Sequence, residues 1–303
     1  MSPQPEPTPA PSGVIHDIGY RGYDGRRVDR RRIGSALFVH SLRSVYGLGR
    51  AGKSKIIPFG LAAVMVLPAL IIAVVNVALA GQGVATEPVL PYTRYPMVLS
   101  AAIAIFVAVQ ATQAVSLDLR FHTLPLYMSR PLARADYVRA KYAALALGLF
   151  VLMAVPILIM YVGSLFAEFP IGRETGDVVL ALIGAMLYAL VLGGIGLVIA
   201  SLTARRGFGI AGVIAVLTLS YAIVSALQGW VGEMVGDSET AGWIGLFSPM
   251  TLVDGVQVWA FGVDTSTPAG PPDGAGPVFL VVTLGVIAAC YAALIGRYRR
   301  VRL

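Results

Sequence analysis

The sequence has few of the side chains that bind metals and form disulfides. Among its 303 residues there is 1 cysteine, and there are 3 histidines. A single cysteine excludes a disulfide within the chain, and three histidines without a second cysteine provide no ligand cluster for a structural zinc ion. We therefore expect no metal site and no disulfide framework.

Charged residues are also scarce. Asp, Glu, Lys and Arg make up 13% of the chain and apolar residues 57%, whereas roughly a quarter of an average soluble domain is charged. This composition excludes an ordinary soluble domain and indicates a membrane protein. The net charge of +7 would indicate an acidic partner in a soluble protein, so the positions of the cations decide its meaning.

Six stretches contain no Asp, Glu, Lys, Arg or His and are long enough to cross a hydrocarbon core of about 30 Å. Because lipid offers no partner for unpaired backbone groups, each is expected to be a helix. The predicted fold is therefore an all-α integral membrane protein with a transmembrane domain at residues 56–296. The predicted spans are residues 56–80, 95–117, 142–167, 178–204, 207–232 and 277–296.

The cations divide unevenly between the two sides of such a membrane domain. With six spans, 21 of the 23 Lys and Arg lie on the side of the two termini and 2 on the other side. Cytoplasmic segments carry the excess of Lys and Arg, so both termini are predicted to be cytoplasmic. The charge surplus then marks topology, and nucleic acid is not an expected partner.

A seventh apolar stretch, residues 241–262, contains Asp254 and a proline. A seventh crossing would move the basic tail, residues 297–303, to the outer side, against the charge bias. We therefore predict that the outer loop, residues 233–276, contains a re-entrant or interfacial element broken near Ser248 and Pro249. The alternative is an ordinary outer loop with two buried aromatic side chains. The expected interfacial anchors are Trp243 and Trp259.

Two segments precede the first span. Residues 1–15 are rich in proline, which favours an extended, disordered tail. Residues 16–55 are basic and contain a two-sided helical pattern, which predicts an amphipathic helix at the anionic inner leaflet. The alternative is a helix packed on a soluble partner. The apolar side comprises Ile33, Leu37, Phe38, Leu42, Val45 and Leu48, and the cationic side comprises Arg32, Arg43 and Arg50.

Residues 47–54, Gly-Leu-Gly-Arg-Ala-Gly-Lys-Ser, match the pattern of a phosphate-binding loop. That loop binds nucleotide only between a buried strand and a helix, in a sheet that also supplies a magnesium-binding Asp. Here the motif lies between an amphipathic helix and the first span. We predict no nucleotide-binding residues in this chain.

The predicted spans also lack ionisable groups, which ion-driven carriers keep inside the membrane. The histidines lie outside the spans, and no paired carboxylates are placed to hold magnesium for lipid chemistry. We therefore predict no catalytic residue and no enzymatic activity of this chain. Any uphill transport would take its energy from a second subunit.

The predicted cytoplasmic loop at residues 118–141 combines two prolines, several cations and more apolar side chains than a solvated loop needs. Apolar residues rimmed by cations on an exposed connector indicate a docking surface for another protein. A basic loop that faces lipid is the alternative.

The sequence of this loop resembles a known family. Residues 123–137, Thr-Leu-Pro-Leu-Tyr-Met-Ser-Arg-Pro-Leu-Ala-Arg-Ala-Asp-Tyr, followed by Lys141, resemble the cytoplasmic loop of ABC-2 type transporter permeases. Residues 247–254, Phe-Ser-Pro-Met-Thr-Leu-Val-Asp, are similar to an outer segment of those permeases. Residues 16–23, His-Asp-Ile-Gly-Tyr-Arg-Gly-Tyr, resemble the start of such permeases from high-GC Gram-positive bacteria. The resemblance extends from about His16 over nearly the whole chain.

The resemblance implies a permease subunit of an ABC exporter in a bacterial cytoplasmic membrane, paired with a second protomer and two ATPase subunits that bind ATP and magnesium. It implies that the loop docks in the ATPase and that Ser248, Pro249 and Asp254 belong to an outer re-entrant segment. Other interpretations are a membrane anchor for a cytoplasmic ATPase and a membrane-bound lipid enzyme. The implied coupling residues are Leu126, Ser129, Arg130, Pro131, Arg134 and Tyr137.

Overall fold

The computed structural model describes residues 29–49, 52–120, 132–203 and 205–300. These residues form helices joined by loops, and no β-strand occurs among them. The proline-rich tail and the start of the basic segment lie outside the described residues. In chain order the helices are α1 (Arg30–Val45), α2 (Lys53–Gly81), α3 (Tyr95–Val98), α4 (Ser100–Arg120), α5 (Arg134–Phe166), α6 (Ile171–Leu202), α7 (Arg206–Val235), α8 (Ser238–Ile244), α9 (Pro249–Phe261) and α10 (Gly276–Arg300).

Within the described ranges, five helices are long and apolar enough to cross a membrane, namely α2, α5, α6, α7 and α10. Helix α4 carries a shorter apolar stretch, Ser100–Ser116. The prediction of an all-helical chain with several membrane-length helices is thus confirmed. Each of the six predicted stretches coincides with a helix, although the second is divided because α3 ends at Val98 and α4 begins at Ser100.

Helices α5 and α6 form the centre of the bundle. In their most apolar windows, 61% and 56% of residues are buried, against 22% in α2 and 17% in both α7 and α10. Helices α2, α7 and α10 lie at the periphery of the bundle and therefore direct most of their apolar side chains away from the protein. Lipid tolerates this arrangement and water does not.

Small residues explain how closely the two central helices approach. Helix α6 carries Ala181, Ala185, Ala189 and Gly193 at four-residue spacing, so they share one face. The three alanines are buried, and a Cβ atom built at Gly193 would lie 3.8 Å from the backbone of Ala146 on α5. Such rows let helix backbones pack tightly in a membrane. This row packs within the chain.

Helix α1 packs on the bundle through one side. Leu37, Ser41 and Val45 are buried there, and the hydroxyl of Tyr46 donates to the carbonyl oxygen of Gly148 on α5 at 2.7 Å. A Cβ atom at Gly148 would lie 2.7 Å from Cγ1 of Val45, so glycine permits this contact. Part of the apolar side of α1 is therefore covered by its own chain. The inner leaflet as the location of α1 stays a prediction.

The predicted outer element is divided at Ser248. Helix α8 and a short 3₁₀ turn precede it, and α9 begins at Pro249, with the Ser248 hydroxyl accepting from the Met250 N–H at 3.3 Å. With 13 residues, α9 is about 20 Å long at 1.5 Å per residue. That is shorter than the hydrocarbon core, so residues 241–262 do not form a seventh membrane-length helix.

Candidate functional site

The end of the bundle at which α4 and α10 end and α5 begins is called the basic end. Here Nζ of Lys141 lies 2.9 Å from Oδ2 of Asp118, and the hydroxyl of Tyr137 donates to the same oxygen at 2.6 Å. Lys141 is 8% exposed and Tyr137 is fully buried. Asp118 closes α4 and the other two residues open α5, so these contacts join the two ends of the predicted docking loop.

A third helix joins this group through Tyr298 of α10. Its ring lies 5.2 Å from the ring of Tyr137, measured between centroids, at an interplanar angle of 59°. We call Asp118, Tyr137, Lys141 and Tyr298 the loop-closing cluster. A buried ammonium group is costly unless it is paired, and the Asp118 carboxylate provides that pairing. The ends of α4, α5 and α10 are thus bound into one unit.

Arginines surround the loop-closing cluster at the surface. Nε of Arg30 on α1 donates to Oδ2 of Asp136 at 2.6 Å, and Arg134 donates through Nη1 to the backbone oxygen of Arg299 at 2.6 Å. The hydrogen bond to Asp136 raises the pKa of Arg30 above its ordinary value, so this cation stays charged. Arg139 donates to the Tyr291 hydroxyl at 2.9 Å. These contacts attach the start of α5 to α1 and to α10.

The predicted coupling residues do not share one location in the structure. Leu126, Ser129, Arg130 and Pro131 lie outside the described residues. Arg134 lies at the surface of the basic end, whereas Tyr137 is fully buried. Tyr137 therefore contributes no surface for docking, and it contacts α4 and α10 from inside the bundle. It is a core residue, because its ring packs on the ring of Tyr298 and its hydroxyl donates a hydrogen bond to Asp118.

Sequence reasoning missed the pairing of Asp118 with Lys141. Opposite charges that flank a loop between two consecutive apolar stretches are the signal that could have indicated it. The signal is weak, because the loop contains other cations that compete for the same carboxylate in the linear sequence.

The predicted outer residues lie at the other end of the bundle. Asp254 is 4% exposed and accepts from the Ser266 N–H at 3.1 Å and from the Thr265 hydroxyl at 3.2 Å. Arg94, which precedes α4, donates to the Thr265 carbonyl oxygen at 2.8 Å. Burial raises the pKa of Asp254 although these hydrogen bonds act against the rise. Asp254 therefore fixes the loop after α9 onto that helix.

The tryptophans of the outer element are partly exposed. Trp243 is 37% and Trp259 45% exposed. The alternative of an ordinary loop with two buried aromatic side chains is therefore wrong. The element consists of helices α8 and α9, and the role of the two tryptophans as interfacial anchors stays a prediction.

The glycine-rich motif joins two helices. It follows α1 and leads into α2, and Gly47 and Gly49 have φ values of +67° and +83°. Nucleotide-binding loops instead follow a buried strand. Among the described residues there is also no group of three or more His, Cys, Asp or Glu that would hold a metal ion.

An apolar groove of about 870 Å³ lies between α2 and α5. Its walls offer no titratable or nucleophilic side chain, so the groove supports no chemistry. The residues that form it include Leu70, Val74, Val77, Leu158, Val162 and Phe166.

No protein-family model matches this sequence, and no curated protein matches it either. The likeness to ABC-2 type permeases thus depends on the three sequence phrases and on the pattern of apolar stretches.

Proposed function

We propose that this chain is the transmembrane permease subunit of an ATP-driven exporter of the ABC-2 type. It works in a bacterial cytoplasmic membrane with a second permease protomer and a separate ATPase that binds ATP and magnesium. The observation that carries the proposal is the loop-closing cluster, because it connects a loop with the sequence of a coupling loop to three helices of the bundle.

The proposed topology has six spans with the basic end in the cytoplasm. Arg30, Arg134 and Arg139 lie at that end, whereas Arg94 and Arg173 lie at the other. This separation agrees with the cation excess of cytoplasmic segments. Helix α1 then lies where its arginines meet anionic headgroups.

Transport follows from how the loop is attached. An ATPase docked on Arg130 and Arg134 displaces the loop when it closes on ATP. The Asp118–Lys141 ion pair passes the displacement to α4 and α5, and the contact between Tyr137 and Tyr298 passes it to α10. Differential binding of the ATPase to two arrangements of these helices shifts the permease between inward-open and outward-open states. The element formed by α8 and α9 seals the exit on the outer face.

The test uses the permease reconstituted in vesicles with the ATPase encoded beside it. Arg130→Glu with Arg134→Glu reverses the charge of the docking surface, and we expect stimulation of ATP hydrolysis by the permease to fall about tenfold or more. The matched control is Arg173→Glu at the other end of the bundle, where the arginine side chain is 60% exposed, and it should leave the stimulation unchanged. Protease protection checks that both variants insert correctly.

Unchanged stimulation in the Arg130→Glu, Arg134→Glu variant would contradict the proposed docking surface. A membrane anchor without transport predicts binding of the ATPase but no ATP-dependent movement of any solute across the vesicle. An ATP-dependent efflux screen on the same vesicles separates that alternative from an exporter.

A further inference from the structure

A small cavity lined by both polar and apolar groups lies at the junction of α1, α4 and α5. It is formed in part by Ser41 on α1, Gln110 and Ala114 on α4, and Lys141 on α5. Its volume, taken as the space open to the centre of a water molecule, is about 10 Å³. The cavity is thus about as large as one water molecule requires.

Two residues that line this cavity carry three buried polar atoms without a hydrogen-bond partner. They are Oγ of Ser41 and both Nε2 and Oε1 of Gln110. Ser41 is 5% and Gln110 1% exposed, so bulk water does not reach them. Buried polar groups are nearly always paired, and an unpaired group is costlier still in a chain surrounded by lipid. The three atoms therefore call for a partner that fits the cavity.

We infer that the cavity binds one ordered water molecule that bridges Ser41 on α1 and Gln110 on α4. Gln110 presents both a donor and an acceptor, and water satisfies both kinds of group. A halide ion would pair only with the donors, and a metal cation only with the acceptors. Lys141 gives an anion little extra attraction, because its charge is paired with Asp118 at 2.9 Å.

Through this water, part of the contact between α1 and the rest of the bundle is water-mediated. Val45 and Tyr46 hold α1 to α5 by direct contact with Gly148, while Ser41 reaches α4 through the water. The inference holds whether or not the chain transports a solute, because it depends only on the cavity and on the unpaired atoms.

The first test is a double-mutant cycle on the full chain in detergent, read from reversible unfolding. Ser41→Ala and Gln110→Met each remove one partner of the water and should each lower the folding equilibrium constant about fivefold. The double variant should lose about tenfold, not the roughly 25-fold product expected for independent sites, because the emptied apolar cavity no longer needs water.

The control pairs Ser41→Ala with Thr112→Val. Thr112 is also buried on α4, but its hydroxyl donates to the Ala108 carbonyl oxygen at 2.8 Å. The two substitutions of this control pair should lower the folding equilibrium constant by the product of their single effects. If the effects of Ser41→Ala and Gln110→Met multiply as well, the shared water is refuted.

A density map of the unmodified protein gives a second measurement that needs no variant. We expect a peak within hydrogen-bonding distance of Ser41 Oγ and of the Gln110 amide. A direct hydrogen bond between these two side chains, with no peak between them, would overturn the inference.

Discussion

The two ends of the helix bundle are held by different chemistry. At the basic end, Lys141 and Asp118 form an ion pair whose side chains are only 10% and 15% exposed. At the opposite end, the Tyr92 hydroxyl is buried against Glu174 and Ser164, and the ion pair of Arg173 with Glu87 is 60% and 59% exposed. The basic end thus contains an ion pair with little exposure, whereas the Arg173–Glu87 pair at the opposite end is exposed and the buried carboxylates there accept from hydroxyl and amide donors. Loss of a partner should therefore matter much more at the basic end.

The largest expected effect comes from Lys141→Met. The substitution removes the Lys141 ammonium group from the Asp118 carboxylate, whose side chain is only 15% exposed, and we expect the free energy of unfolding to fall by about 3–5 kcal/mol. Arg173→Met is the matched control at the opposite end and should change stability far less. Unfolding in detergent measures both. Adding Asp118→Asn to Lys141→Met should restore part of the loss, and equal effects of the two single variants would refute the contrast between the ends.

Apolar packing at the opposite end should give an intermediate effect. A Cβ atom at Gly163 on α5 would lie 2.7 Å from Cα of Ala73 on α2. Gly163→Ala must push these helices apart, which we expect to cost about 1–3 kcal/mol of unfolding free energy. Gly176→Ala on α6 is the control, since nothing lies within 4 Å of the added methyl group. A neutral or stabilising Gly163→Ala would show that α2 is not held by close packing there.

The smallest expected effect concerns Asp254, which is held by amide and hydroxyl donors. Burial raises the pKa of its carboxyl group above the ordinary value of 3.8, so the folded chain holds this proton more tightly than the unfolded chain does. The resulting stabilisation is present below that ordinary value and is lost as pH rises through the raised pKa. Relative to Asp254→Asn, the unmodified protein should therefore lose stability as pH rises from about 3 to about 7. Thermal unfolding of both proteins across this range provides the measurement, and a pH-independent difference would contradict it.

Much of the fold was predictable because membrane helices have a local signal. Length and the absence of charge placed the last span at residues 277–296, and α10 extends over Gly276–Arg300. The boundaries were less accurate where a helix continues past its apolar part. Helix α5 begins at Arg134, eight residues before the predicted span at 142–167, because charged residues continue the helix and bind α1 and α10.

The candidate site was less predictable. The burial of Tyr137 depends on Tyr298, which is far away in sequence, and no local pattern indicates that contact. The division of the outer element was easier to predict, because Pro249 favours the first turn of a helix and Ser248 is a preferred N-cap. The sequence thus indicated residues whose role depends on their immediate neighbours in the chain, such as Ser248 and Pro249. It did not indicate contacts between distant residues, such as that of Tyr137 with Tyr298.

The way in which the connection between α4 and α5 is attached also determines how freely its sequence can change. Thirteen residues, 121–133, connect α4 to α5, and the loop-closing cluster fastens the helix ends on both sides of them. Changes in that connection need not disturb the bundle, because the contacts that hold the helix ends together lie on α4, α5 and α10. The proposed docking loop is therefore exchangeable, and under the proposed function a loop grafted from a related chain should redirect partner choice while the membrane helices keep their packing.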